Sequence, residues 1–87
     1  AAHANEMAAL LRDELEPLVG VEIAYPVQAN AVFAKLPPQI IERVREEVFF
    51  YVWDEPEGIV RLMCSYDTTV ADVRALVGAI TDALSRA

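Results

Sequence analysis

The residue best suited to chemistry in this sequence is an arginine inside an apolar segment. Arg61 lies in the middle of the run 59–64, in which every other residue is apolar. Side chains alternate along a β-strand, so Arg61 shares one face with Ile59 and Met63 while the residues between them face the other way. A guanidinium held at a fixed place on an apolar surface can bind a carboxylate through two parallel hydrogen bonds.

Two interpretations of Arg61 stay open on the residues alone. Most arginines are structural or solvated, and an exposed position at a sheet edge would explain this one. A buried cation requires a partner, which Asp54, Glu57 or Asp67 could supply as an internal ion pair. Binding of a substrate or effector carboxylate is the functional alternative.

The other groups that could do chemistry stand alone in the sequence. Lys35 is the only lysine and ends a predicted strand without a phosphate cradle nearby, so we expect a solvated side chain rather than a Schiff-base lysine. His3, near the start of the chain, is also expected to be solvated. Cys64, the only cysteine, is predicted to be a buried, inert thiol. It excludes an intrachain disulfide, and the sequence shows no metal-ligand cluster of the usual spacing.

Two further residues have structural interpretations. Asn30 fits a turn or the start of a strand, and we do not assign it to a site. Trp53 could cover an interface between domains, but core packing is the more common role for a lone aromatic strand.

Composition and charge indicate which partners and which cellular location this protein can have. The 87 residues carry a net charge of −7, which argues against nucleic acid and anionic membranes as partners. No apolar run approaches the roughly 20 residues that cross a bilayer. The N-terminus has no signal-peptide pattern, so we expect a soluble, cytoplasmic protein. Apolar residues make up 55%, which is high for one small core and suggests a piece of a larger protein.

The apolar periodicity predicts three helices and four strands in the order α-β-β-α-β-β-α. The helices are expected near 7–18, 40–48 and 73–84, and the strands near 21–25, 31–36, 49–53 and 59–64. Thr69 and Asp72 predict a capping box before the last helix. The order predicts an α+β fold, a two-layer sandwich in which a small, mostly antiparallel sheet of three or four strands carries helices on one face. The other face would need a partner surface.

Four segments of the chain resemble one enzyme family. The stretch Gly58-Ile59-Val60-Arg61-Leu62-Met63-Cys64-Ser65-Tyr66-Asp67-Thr68-Thr69, followed by an amphipathic helix, is similar to the final strand and helix of threonine aldolases. The upstream segments 3–8, 25–33 and 49–53 resemble the bacterial low-specificity branch in the same order. Cys64 departs from the family, which more often has a small hydroxyl residue there.

The resemblance implies that residues 1–87 are the C-terminal small domain of a larger enzyme, a β-eliminating lyase of aminotransferase-like fold type I. Such an enzyme uses pyridoxal 5′-phosphate to cleave threonine and related β-hydroxy amino acids to glycine and an aldehyde. Arg61 falls on the family's arginine that binds the α-carboxylate of the substrate. The Schiff-base lysine and the phosphate-binding loop belong to the large domain, so this chain alone is expected to be inactive. The full-length protein is expected to be a homotetramer.

Two other classes of protein compete with this interpretation. A small α+β sandwich can serve as a regulatory module that binds an amino acid, with Arg61 holding the effector carboxylate and no catalysis following. A purely structural dimerisation domain would instead pair Arg61 within the chain.

Overall fold

The computed structural model describes residues 2–27 and 29–86 and has the predicted order of elements. The helices are α1 (Ala2–Leu15), α2 (Pro38–Arg45) and α3 (Val70–Arg86). The strands are β1 (Glu22–Ile23), β2 (Ala31–Lys35), β3 (Tyr51–Asp54) and β4 (Ile59–Met63). The α-β-β-α-β-β-α order of the α+β prediction is therefore confirmed.

The four strands form one antiparallel sheet in the order β1-β2-β4-β3. The last strand in the sequence is thus a central strand, hydrogen-bonded to β2 on one side and to β3 on the other. The short β1 forms an edge, as expected for a strand followed by Pro26. β3 and β4 form a hairpin, joined by the turn over 55–58.

All three helices pack on the same face of the sheet and form the main core with it. Val32 and Ala34 of β2 and Val60 and Leu62 of β4 point into this core. The helices contribute Met7, Ala8, Leu11, Leu15, Ile40, Ile41, Val44, Val73, Ile80 and Ala83. This arrangement is the predicted two-layer sandwich with helices on one face, and it leaves the other face of the sheet without helices.

Local signals set where two of the helices begin. Proline is favoured in the first helical turn, where its missing N–H costs nothing, and α2 begins at Pro38. The predicted capping box before α3 is confirmed. The Thr69 N–H donates to Asp72 Oδ2 over 2.9 Å, and the Asp72 N–H donates to Thr69 Oγ1 over 3.0 Å.

Several boundaries differ from the prediction, by up to five residues at the start of α1. Helix α1 begins at Ala2 rather than near Met7, because alanine favours helix and Ala4 is buried. Helix α2 ends at Arg45, although the Val48 N–H still donates to the Val44 carbonyl over 2.9 Å in the following turn. Strand β3 begins at Tyr51 rather than Phe49. Within the described ranges, no helix combines the length and apolar character needed to span a bilayer.

Candidate functional site

Arg61 occupies the middle of the central strand. Its Cα pairs with that of Phe33 on β2 and with that of Tyr51 on β3. Residues paired across an antiparallel ladder point to the same side, so Arg61 emerges between two aromatic side chains on the face opposite the helices. The sequence prediction for its orientation is confirmed, because its neighbours Val60 and Leu62 are buried in the helical core.

The surface around Arg61 is apolar and aromatic. We call it the open face and define it by Tyr25, Phe33, Tyr51, Trp53, Arg61 and Met63. Tyr51 and Trp53 are 57% and 55% exposed, far more than aromatic residues of a closed core. A second, smaller apolar cluster lies under them, formed by Ala31, Phe33 and Ile59. Part of the exposed apolar surface of the chain therefore lies on the face that the helices do not cover.

The three carboxylates considered as partners of Arg61 are engaged elsewhere. Asp54 Oδ1 accepts the backbone N–H of Glu57 over 3.2 Å in the β3–β4 turn. The Glu57 carboxylate lies 3.4 Å from Lys35 Nζ, and that of Asp67 accepts the Ser65 hydroxyl. Among residues 2–27 and 29–86, the ion pairs involve only other arginines and Lys35. Within that part of the chain, Arg61 therefore has no carboxylate partner.

The contact that Arg61 does make is with an aromatic ring. Its Cζ atom lies 5.6 Å from the centroid of the Trp53 ring, within the range of a cation–π interaction. Trp53 packs edge-to-face on Phe33 at 5.1 Å, and Phe33 packs in the same way on Tyr25 at 5.5 Å. The guanidinium is thus held against an aromatic row without being neutralised.

A groove of about 390 Å³ lies between the start of β3, the end of β4 and helices α1 and α3, and Leu11, Val73 and Leu76 of these helices line part of it. Arg61 contributes to its lining together with Phe49, Phe50, Met63 and Asp72. The Asp72 carboxylate is occupied by the N-terminus of α3, which leaves Arg61 as the unpaired charge in this lining. Arg61 is thus the group of this lining that could attract an anion.

Lys35 is the only lysine in this sequence that could form a Schiff base with pyridoxal 5′-phosphate, the cofactor that the resemblance implies. That cofactor needs a lysine for the Schiff base and backbone donors for its phosphate. Lys35 pairs with Glu57 and is half-exposed, as expected for a solvated lysine. It lies at the end of β2, opposite Ile59 and away from the groove.

The remaining candidates have structural roles. Cys64 is buried against the helices, as predicted, and its burial raises the pKa of the thiol, which disfavours the reactive thiolate. Asn30 bonds the backbone of Cys64 and is a structural residue. His3 is exposed, as predicted, and its Nε2 also lies 2.6 Å from the Thr68 carbonyl oxygen. Over the described ranges, no group of three or more His, Cys, Asp or Glu side chains could hold a metal ion.

The core-packing role expected for Trp53 is wrong, because the ring is more than half exposed and lies beside Arg61. Trp53 lies two residues after Tyr51 on the same strand, and this spacing indicates that both side chains lie on the same face of the sheet. The sequence does not indicate the contact between Trp53 and Arg61, because that contact depends on how β3 pairs with β4.

Comparison with known proteins places this geometry in a family context. No protein-family model matches the chain. The chain is 38% identical over 85 residues to the low specificity L-threonine aldolase of Pseudomonas sp. strain NCIMB 10558, which covers 98% of this chain and 25% of that protein. It is 40% identical over 76 residues to the enzyme of the same name from Pseudomonas aeruginosa, covering 87% of this chain and 22% of that protein.

The fold agrees with the sequence comparison. A solved structure of threonine aldolase from Leishmania major superposes with a TM-score of 0.80 at 28% identity, over 93% of this chain and 24% of that one. The chain thus spans about a quarter of the length of the relatives it matches. Over nearly all of its own length, this chain is similar to about a quarter of these threonine aldolases.

Proposed function

We propose that this chain is the C-terminal small domain of a pyridoxal-phosphate-dependent aldolase that cleaves threonine and related β-hydroxy amino acids to glycine and an aldehyde. Arg61 binds the α-carboxylate of the substrate. The observation that carries the proposal is the unpaired guanidinium of Arg61 on an exposed aromatic face. The similarity to threonine aldolases over 98% of the chain supports the reaction class.

The surroundings of Arg61 suit a carboxylate. A guanidinium presents two parallel N–H groups that match the two oxygens of a carboxylate. Once the rest of the enzyme covers the open face, its aromatic side chains would exclude water and lower the local dielectric, which would strengthen the attraction between the two charges. Since β4 is hydrogen-bonded on both sides, the backbone that carries Arg61 is fixed relative to the sheet. The carboxylate would therefore be held in one orientation, which aligns the rest of the substrate for reaction.

The open face is proposed to pack against the remainder of the enzyme. Exposed Tyr51, Trp53 and Met63 form an apolar surface of the kind that marks an interface. The remainder would supply the lysine and the phosphate-binding groups for the cofactor. A homotetramer would then assemble mainly through that larger part. On this proposal the 87-residue chain is inactive when it is expressed alone.

An absorbance spectrum tests the enzyme class. The protein is expressed from the complete reading frame that contains this chain and is incubated with pyridoxal phosphate. An absorption band that borohydride reduction removes would support a cofactor-dependent enzyme. Absence of a band with excess cofactor would rule out the aldolase proposal.

Substitution of Arg61 tests the site. In the same full-length protein, Arg61→Leu is expected to lower kcat/KM for threonine by about 10- to 100-fold, the effect of losing a charge-assisted hydrogen bond. Arg74→Leu is the matched control, because Arg74 is exposed on α3 away from the groove. Equal kinetics for the two variants would contradict the role of Arg61. A regulatory module would instead bind an amino acid through Arg61 and cleave nothing.

A further inference from the structure

Strand β3 contains a β-bulge beside Arg61. The ladder pairs Val52 with Val60 and then Asp54 with Ile59, so Trp53 is the extra residue in β3. A bulge leaves one residue outside the regular pairing and changes the direction of its side chain. Here the extra residue is the one whose ring contacts the Arg61 guanidinium.

We propose that Trp53 is the positioning residue for Arg61 in substrate binding; this inference rests on the proposed function. The Trp53 ring attracts the guanidinium through its negative π face and restricts where the two N–H donors can point. Phe33 contacts the same ring edge-to-face at 5.1 Å and limits its movement. The direction of the carboxylate-binding group is therefore set by an aromatic neighbour.

An aromatic partner has one advantage over an acidic one. A carboxylate of the chain at this position would form an ion pair with Arg61, and the substrate would have to displace it. The π face orients the cation and leaves all of its hydrogen bonds available. This accounts for the observation that Asp54, which follows Trp53 directly, turns its carboxylate to the Glu57 N–H instead of to Arg61.

Kinetics of the full-length enzyme test the proposal. Trp53→Leu is expected to raise KM for threonine about two- to tenfold, the range of a cation–π interaction, with a smaller change in kcat. Trp53→Phe keeps a π face and should recover part of this loss. Tyr66→Leu is the matched control, because Tyr66 is an exposed aromatic residue outside the groove and the open face.

A second measurement separates positioning from a general loss of structure. Glycine and glycinamide are compared as inhibitors, because glycinamide has no carboxylate for Arg61 to bind. Trp53→Leu should reduce the preference for glycine by about two- to tenfold, whereas damage to the fold would weaken both inhibitors equally. In an Arg61→Leu background, Trp53→Leu should have no further effect on glycine inhibition.

The outcomes distinguish this inference from the proposed function. If Arg61→Leu leaves KM and the glycine preference unchanged, the proposed function fails and the inference fails with it. If Arg61→Leu has its expected effect but Trp53→Leu behaves like Tyr66→Leu, only the positioning role is overturned. Equal effects of Trp53→Leu with and without Arg61 would also overturn it.

Discussion

Asn30 and Cys64 are joined by two hydrogen bonds at the point where β2 begins and β4 ends. The Asn30 side-chain amide donates to the Cys64 carbonyl over 2.7 Å, and the Cys64 N–H donates to the Asn30 carbonyl over 2.8 Å. The backbone bond extends the β2–β4 ladder by one pair. The side-chain bond satisfies the Cys64 carbonyl in a partly buried place, where an unpaired acceptor is costly.

Removal of the Asn30 amide should destabilise the fold. Asn30→Ala is expected to lower the free energy of unfolding by about 1–2 kcal/mol, because the Cys64 carbonyl loses a donor. Asn30→Asp should cost more, since a carboxylate would then face that carbonyl. Urea unfolding of the 87-residue chain measures both effects. Unchanged midpoints for both variants would show that the side-chain bond contributes nothing.

Two glycines should respond to alanine with opposite signs. Gly58 has φ +71°, and a Cβ there would lie 2.8 Å from the Leu36 carbonyl oxygen. Gly58→Ala should therefore destabilise the chain by at least about 1–2 kcal/mol. Gly78 lies in α3 with no atom within 4 Å of the added Cβ, so Gly78→Ala should stabilise it by about 0.5–1 kcal/mol. Thermal unfolding of the pair provides the comparison, and equal shifts would contradict the backbone argument.

The capping box should behave as a coupled pair. Thr69→Ala is expected to cost about 0.5–2 kcal/mol, because the Asp72 N–H loses its acceptor. Adding Asp72→Ala should cost less than the sum of the single changes, as for residues in one network. Thr81→Ala is a control in the same helix, where alanine has the higher helix propensity. A loss of stability in Thr81→Ala as large as in Thr69→Ala would remove the capping explanation.

Burial of Cys64 should make stability depend on alkaline pH. Burial raises the pKa of the folded thiol above its unfolded value, so the native state keeps its proton longer. This contribution is fully present below the unfolded pKa, which is about 8.5, and is lost as pH rises through the folded pKa. The difference in unfolding free energy between the natural chain and Cys64→Ala should therefore decline above that value. If this difference in unfolding free energy stays constant from neutral pH to pH 10, the expected effect of Cys64 burial is wrong.

The sequence predicted those parts of the fold that depend on local chemistry. The alternation around Arg61 predicted its face, and the Thr69–Asp72 spacing predicted the start of α3. Both signals are read within a few residues, so no knowledge of the rest of the chain was needed.

Features that depend on pairing between distant segments were not predictable. The sequence did not show that β4 lies between β2 and β3, nor that β3 carries an extra residue at Trp53. Strand β3 begins at Tyr51 and not at Phe49. Phe50 is buried and Phe49 is exposed, and this difference depends on tertiary packing. The lack of a carboxylate partner for Arg61 among the described residues could not be predicted either, because it depends on where Asp54, Glu57 and Asp67 direct their carboxylates.

The central place of β4 has a consequence for synthesis of the chain. When β2 has been synthesised, the two-residue β1 can pair with one of its edges. The other edge stays unpaired until residues 59–63, which form β4, have also been synthesised. An unpaired strand edge can associate with other chains during that interval. The segment that carries Arg61 is thus also the one that closes the sheet. Nascent chains stalled before it should be more prone to aggregate than chains stalled after it.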